Sequence, residues 1–470
     1  MIAVSVFRGQ IMLEDEIKQG ESETLEFKES LPSDSKKYLK TIIAFANTSG
    51  GKLIIGVSDK DHQIKGIPED KAYAICDVIA DTISNSCLPF ISASSFVQTI
   101  NDKYVIVTEV YPGENRPYYL KSEGKAAGTY IRIDGITKVA DPQIVQELEI
   151  EGSRKTFDRL KNVEVKVTDD AIETLCHDLS QYGKKKITLA DLINSEILKE
   201  RNGRLEATNA FALLTANNAF RFTTIKCARF KGNDTREFID RKEFNTPLYK
   251  QIENAYNFVL NNINLSGKIE GLVRKDTYEV PPSAVREAIL NAIIHRSYLL
   301  ENRAIYLAVF DDRIEITSPG RLYGSMNLER IKAGLSVPRN AALARVFGLA
   351  GLVEGWGIGI KRIITECSEY GLKEPRFETI GTDFRVTIYR PSASDALNAN
   401  QLPESSAAGD LEQLVLEALA QDGRLTINEL SEKFNVSLST IKRTINSLKE
   451  KKTIIRKGNN RAGFWEVKKS

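Results

Sequence analysis

A chain of 470 residues exceeds one ordinary core, so length alone predicts about three or four domains. With 42% hydrophobic and 27% charged residues the composition is globular, and a formal net charge of +2 makes no case for a polyanionic partner, which must rest on local clustering. Cys76, Cys87, Cys176, Cys227 and Cys367 form no C-x-x-C pair, which argues against a zinc site or a disulfide framework; no run approaches the ~18 apolar residues of a membrane span, Met1 to Gln10 lacks a signal-peptide core, and the expectation is a cytoplasmic protein without a membrane partner.

From Ile17 to about Ala140, strand-like runs at Thr24 to Lys28, Lys52 to Val57, Tyr104 to Val110 and Thr129 to Ile133 surround one strong helix, Tyr38 to Ala46. This predicts a small α+β domain. The double glycine Gly50 and Gly51, set before a buried strand, permits a closely packed helix-to-strand turn, and Lys28, Lys36, Lys37, Lys40 and Lys52 supply positive charge for a phosphate backbone or simply a solvated face. The run Glu21 to Lys28, the run Asn47 to Val57, Arg116 to Tyr119 and Gly128 to Arg132 together resemble the Schlafen AlbA-like domain over residues 15–140. The resemblance implies nucleic-acid binding. In Schlafen relatives that cut RNA, two glutamates of the first motif and an aspartate after the following strand hold a divalent metal, and the matching positions are Glu21, Glu26 and Asp59. Such a set could run metal-assisted phosphodiester hydrolysis, but Glu21 and Glu26 could equally pair with Lys28 or Arg132.

Residues 141–280 mix charged helices with strand-like stretches at Ala212 to Leu214 and Phe222 to Phe230, and are expected to connect into the next domain, 281–390. There a helix opens on two prolines with Ser283 as a candidate cap, and strands follow at Ala304 to Phe310 and Arg313 to Thr317. Glu287, Asn291 and His295 recur at steps of four, so all three point one way from a helix otherwise filled by Ile and Ala, which predicts a pocket. With Ser318, Pro319, Gly320 and the run Gly355 to Ile360, this helix resembles the divergent GHKL-type ATPase domain of proteins described as related to the RecG helicase. By that resemblance Glu287 would be the base that orients water, Asn291 the Mg²⁺ ligand, and Gly355, Gly357 and Gly359 the lid glycines near phosphate, with His295, Ser318, Gly320 and Arg339 further cofactor-binding candidates. Arg339 and Asn340 could reach phosphate or cap the next helix. The Asp-x-Gly-x-Gly motif of such enzymes is replaced by Ser318, Pro319, Gly320, Arg321 and Leu322, so adenine selectivity does not follow. A nucleotide-free scaffold of the same fold would share all these features.

Residues 391–410, rich in Ser, Ala, Asn and Pro, predict a flexible linker to a domain at 411–468. Apolar stripes predict three helices. Thr426 caps the second and Ser437 the third, while Ile454 to Lys457 and Gly463 to Val467 predict a basic-tipped hairpin. The pattern resembles the winged helix of bacterial transcription regulators. Its candidate DNA contacts are Ser439, Thr440, Lys442, Arg443, Asn446 and Lys449 on the third helix, and Arg456, Lys457 and Arg461 on the wing. The same module could instead serve protein contact.

Together these readings give a multi-domain α+β chain: an AlbA-like α+β domain, a GHKL-like α/β sandwich and a winged helix-turn-helix. The implied cofactors are ATP and Mg²⁺, the implied partner is nucleic acid, DNA in first place with RNA open, and a homodimer follows by analogy. The leading function is a DNA-binding regulator modulated by nucleotide, with a metal-dependent nuclease, plausibly in antiviral defence, and an ATP hydrolase as alternatives.

Overall fold

The computed structural model of the protein describes residues 13–215, 220, 222–270, 273–353, 358–391, 407–434, 438–451, 453–457 and 464–468. The chain divides into two compact units, Met1–Arg390 and Pro391–Ser470.

In the N-terminal part of the first unit, β1 (Leu25–Lys28), α1 (Lys36–Asn47), β2 (Gly51–Ile55), α2 (Glu69–Ser86), β3 (Ala93–Ile100) and β4 (Lys103–Val110) build a four-stranded sheet in the order β1-β2-β4-β3. β1 runs parallel to β2, with Phe27 beside Ile54, and the other pairs are antiparallel. Alternation along β1 buries Leu25 and Phe27 and leaves Glu26 and Lys28 half-buried, whereas the central β2 buries Leu53, Ile54 and Ile55 in succession. Ile42, Ile43 and Phe45 of α1 cover one face. Leu13, Ile17, Phe27 and Val107 make a second cluster. Gly50 has a φ of +82°, and a Cβ on Gly51 would lie 2.6 Å from the Phe45 ring, so the double glycine makes the tight approach expected of it. The hairpin β5 (Tyr130–Ile133) and β6 (Ile136–Val139) is followed by α3 (Pro142–Gly152), whose Ile144 and Leu148 pack on Ile131 and Ala140.

The second layer is a six-stranded sheet formed by β7 (Ile225–Phe230), β8 (Phe238–Phe244), β9 (Ile305–Val309), β10 (Arg313–Pro319), and β11 (Arg376–Ile380) with β12 (Asp383–Tyr389), in the order β8-β7-β9-β10-β12-β11. Within it only β7 and β9 pair in parallel. The helices that share its core include α4 (Leu248–Asn261), α5 (Pro282–His295), α6 (Ala341–Leu349) and α7 (Gly359–Glu369). β7, β8 and α4 belong to this sheet and its core although they precede residue 281, in the stretch expected to lead into the domain. Ala212 to Leu214, expected as strand, lies in a buried helix, Asn209–Thr215; a short apolar run does not distinguish the two by itself. Ser283 is no cap. Pro281 occupies that position, and the Ser283 hydroxyl donates to Glu366 of α7.

The second unit packs α8 (Ala407–Gln421), α9 (Ile427–Phe434), α10 (Leu438–Glu450) and the hairpin of β13 (Ile454–Lys457) and β14 (Phe464–Val467) around Val415, Leu419, Leu430, Ile441, Ile445 and Trp465. α8 starts inside the segment expected to be linker. Thr426 caps α9 as predicted: its hydroxyl accepts from the Glu429 amide at 3.3 Å and the Glu429 carboxylate accepts from the Thr426 amide at 2.8 Å, a reciprocal box. Ser437 lies outside the described residues.

Candidate nucleotide pocket and nucleic-acid surfaces

Three of α5's polar residues face one cavity of about 310 Å³. Asn291 donates its amide hydrogen to Glu287 at 3.1 Å, and His295 follows one turn later. Gly359, the first residue of α7, closes against this pair: a Cβ there would lie 1.9 Å from Glu287 Oε1 and 3.2 Å from Asn291 Nδ2, so only glycine allows the approach. The sheet side contributes Ile316, Phe384 and Val386, and the segment after β10 contributes Leu322, Tyr323 and Met326. The cavity is polar at α5 and largely apolar elsewhere.

Ser318 and Gly320 also line it. The Ser318 hydroxyl donates to the Ala292 carbonyl at 2.7 Å, which keeps its lone pairs as acceptors, and Gly320 has a φ of +115° with its amide donating to Thr382 at 3.0 Å. Sequence reasoning missed Phe384, Val386 and the cover from residues 321–337. Isolated hydrophobic residues of a sheet give no signal that one end of the strand is a cavity wall.

Arg339 stands elsewhere. Its side chain is 4% exposed and pairs with Glu147, so it stands behind the cavity wall and does not line the cavity itself. Asn340, also fully buried, donates to the Ile294 and Arg296 carbonyls at 2.8 and 2.9 Å, tying α6 to the end of α5 rather than capping it by its side chain. Gly355 and Gly357 lie outside the described residues.

Removal of water from around the half-buried His295 pushes its imidazole down to about 4 from the ordinary 6.5, so it is neutral at pH 7. The unfolded chain takes up this proton below about 6.5 while the folded protein resists until about 4, so this group's contribution to stability falls as pH drops through that window. The stability advantage of wild type over His295→Gln is therefore expected to shrink between pH 6.5 and pH 4 in parallel denaturant titrations. A difference constant with pH would rule the linkage out.

The three carboxylates of the nuclease reading do not assemble. Glu21 accepts from the Phe27 amide at 2.9 Å, Asp59 is exposed, and Glu26 pairs with Lys28 and with the buried Arg132, each at 2.7 Å. Among the described residues no group of acids, histidines or cysteines is placed to hold a metal. Glu26 has the ion-pairing role, and the strand geometry explains why: it and Lys28 share one face of β1, two residues apart.

In the second unit Lys442, Asn446 and Lys449 are exposed on α10, opposite its buried Ile441, Ile445 and Leu448. On the hairpin Arg456 and Lys457 are exposed; Lys457 pairs with Glu466 at 2.7 Å, and Lys449 and Arg456 each stand 5.0 Å from the centre of the Trp465 ring. That ring sets helix and hairpin cations side by side. The side chains of Ser439, Thr440 and Arg443, and all of Arg461, lie outside the described residues. No helix among the described residues is long and apolar enough to cross a membrane.

Three family models match the chain: Schlafen, AlbA_2 over residues 21–141; putative ATP-dependent DNA helicase recG C-terminal over residues 302–388; and the DeoR-like helix-turn-helix domain over residues 412–466. No curated protein matches it. Of solved structures, the DIP2311 protein from Corynebacterium diphtheriae is 19% identical with a TM-score of 0.44, covering 95% of this chain and 92% of its own. The N-terminal domain of a putative ATP-dependent DNA helicase RecG-related protein from Nitrosomonas europaea is 20% identical with a TM-score of 0.21, covering 27% of this chain and 89% of its own. The chain is thus a multi-domain α+β protein whose domain composition matches a Schlafen AlbA-like domain, a RecG-related HATPase domain and a DeoR-like winged helix.

Proposed function

We propose that the protein is a DNA-binding regulator whose central pocket takes Mg-ATP and whose nucleic-acid affinity depends on that nucleotide. The observation that carries the reading is the convergence of Glu287, Asn291 and Gly359 at the polar end of one largely apolar cavity. The residues suit the ligand. With its amide hydrogen given to Glu287, Asn291 keeps its side-chain oxygen for a hard cation, and the Gly359 amide opens an 11-residue helix whose positive end favours phosphate. Ile316, Phe384 and Val386 offer apolar surface to a flat base, and Ser318 offers an acceptor. Bound Mg²⁺ would neutralise phosphate charge; Asn291 would hold it, and Glu287 would orient a water and receive its proton.

Regulation requires that nucleotide favour one arrangement of the chain over another. DNA affinity measured with and without Mg-ATP is expected to differ, under conditions where labelled ATP is shown to bind; equal affinities there would remove nucleotide control. For the DNA half, the double variant Lys442→Ala, Arg456→Ala is expected to flatten the plot of log affinity against log salt by about 0.9 for each phosphate left without its cation. An unchanged slope would take α10 and β13 out of the interface. The Glu287–Asn291 pairing also favours a second reading, ATP hydrolysis.

A further inference from the structure

The wall of the central cavity is held from the N-terminal side. Arg339 directs its guanidinium at three separate stretches of chain: Nε donates to the His295 carbonyl at 2.9 Å, one terminal nitrogen pairs with Glu147, and the other donates to the Arg321 carbonyl. Its plane lies 4.8 Å from the centre of the Tyr323 ring. His295, Arg321 and Tyr323 all line the cavity, whereas Glu147 sits on α3, anchored by Ile144 and Leu148 to Ile131 and Ala140 of the AlbA-like domain. The Arg339 fork therefore ties both rims of the pocket to a helix beyond the matched HATPase segment. A second wall residue faces the same way. The Arg321 guanidinium has a buried Nη2 without a hydrogen-bond partner among the described residues, and the carboxylates acting on it electrostatically, Glu151 and Glu23, both come from the N-terminal side.

We infer that Glu147 is a positioning residue of the nucleotide pocket: through Arg339 it fixes the backbone at His295 and Arg321 and the Tyr323 ring, so the pocket takes its binding shape only with α3 in place. A planar guanidinium satisfies several acceptors from different segments at once, which a lysine would not. Its buried charge needs the carboxylate, since removing one partner of such a pair leaves the other uncompensated. The coupling is reciprocal. Whatever displaces α3, nucleic acid on the AlbA-like domain included, must change nucleotide affinity by the factor by which nucleotide changes the affinity of that partner.

The inference rests on the reading of the cavity as a nucleotide site, and the test separates the two. Mg-ATP affinity would be titrated on the full chain for wild type, Glu147→Gln, and the double variant Glu147→Leu, Arg339→Met. The double variant replaces the buried pair by apolar groups of similar size, which conserves packing without leaving a lone charge, and it decides the matter if Glu147→Gln does not fold. Both variants are expected to bind Mg-ATP about 3- to 30-fold more weakly than wild type, with Glu147→Asp recovering part of the loss. Wild-type affinity in the folded variants would overturn the positioning role while leaving the pocket reading intact. A wild-type chain that takes up no nucleotide overturns the pocket reading, and this inference with it.

Discussion

If the central pocket hydrolyses ATP as proposed, Glu287→Ala is expected to lower turnover by about 10²- to 10⁴-fold, the range a positioned general base contributes. Glu287 stands on α5 with Asn291 donating to it at 3.1 Å and Gly359 pressed against its carboxylate. Removing the side chain also leaves the Asn291 amide without this acceptor, so alanine alone mixes loss of the base with loss of order. Glu287→Gln separates them: it preserves shape and a carbonyl acceptor but cannot take a proton. Turnover should fall in both variants, while nucleotide affinity stays near wild type in the glutamine form. Steady-state hydrolysis at saturating Mg-ATP is the measurement, and rates equal to wild type in both would take Glu287 out of that role.

Arg132→Ala is expected to destabilise the N-terminal sheet by about 3 to 5 kcal/mol, as truncating one partner of a buried ion pair does. The Arg132 side chain is 1% exposed and pairs with Glu26 at 2.7 Å. It also donates to the Ser22 carbonyl at 2.9 Å and to Leu25 at 3.1 Å, and stands 5.2 Å from the centre of the Phe45 ring. Alanine would leave Glu26 with Lys28 alone and take one donor from each of the two carbonyls. Because a chain with several domains need not unfold in one step, the reporter should be local: amide hydrogen exchange at Leu53, Ile54 and Ile55 of β2. Exchange unchanged in the variant would mean that Glu26 and the carbonyls find other partners.

The polar face of the α5 helix was legible in the sequence because its signal is periodic, and Gly359 alone of the three expected glycines falls among the described residues. A polar residue at every fourth place on α5 can only mean one face, and Gly359 is required by an approach that any side chain would block. Arg339 was not legible. The direction of a long side chain is set by a partner 192 positions away, and nothing at Glu147 marks it as that partner. Glu26 shows the same limit from the other side, for a carboxylate that matches a metal-binding position is chemically identical to one that neutralises a buried arginine. Ser283 illustrates a local rule overridden by packing, since α7 brings Glu366 within reach of its hydroxyl.

Among the described residues the end strand of the six-stranded sheet, β8, pairs on one side only, and its Phe238 and Ile239 are 54% and 57% exposed. Such a border invites a second molecule to extend the ladder. Arg241 and Lys242 follow on the same strand, both exposed, and because successive side chains leave a strand on opposite faces, one cation flanks the border above and the other below. An apolar strand laid along β8 would have to cover a charge whichever face it presented. The two cations thus raise the electrostatic cost of adding an apolar strand at this border, beside the exposed Phe238 and Ile239.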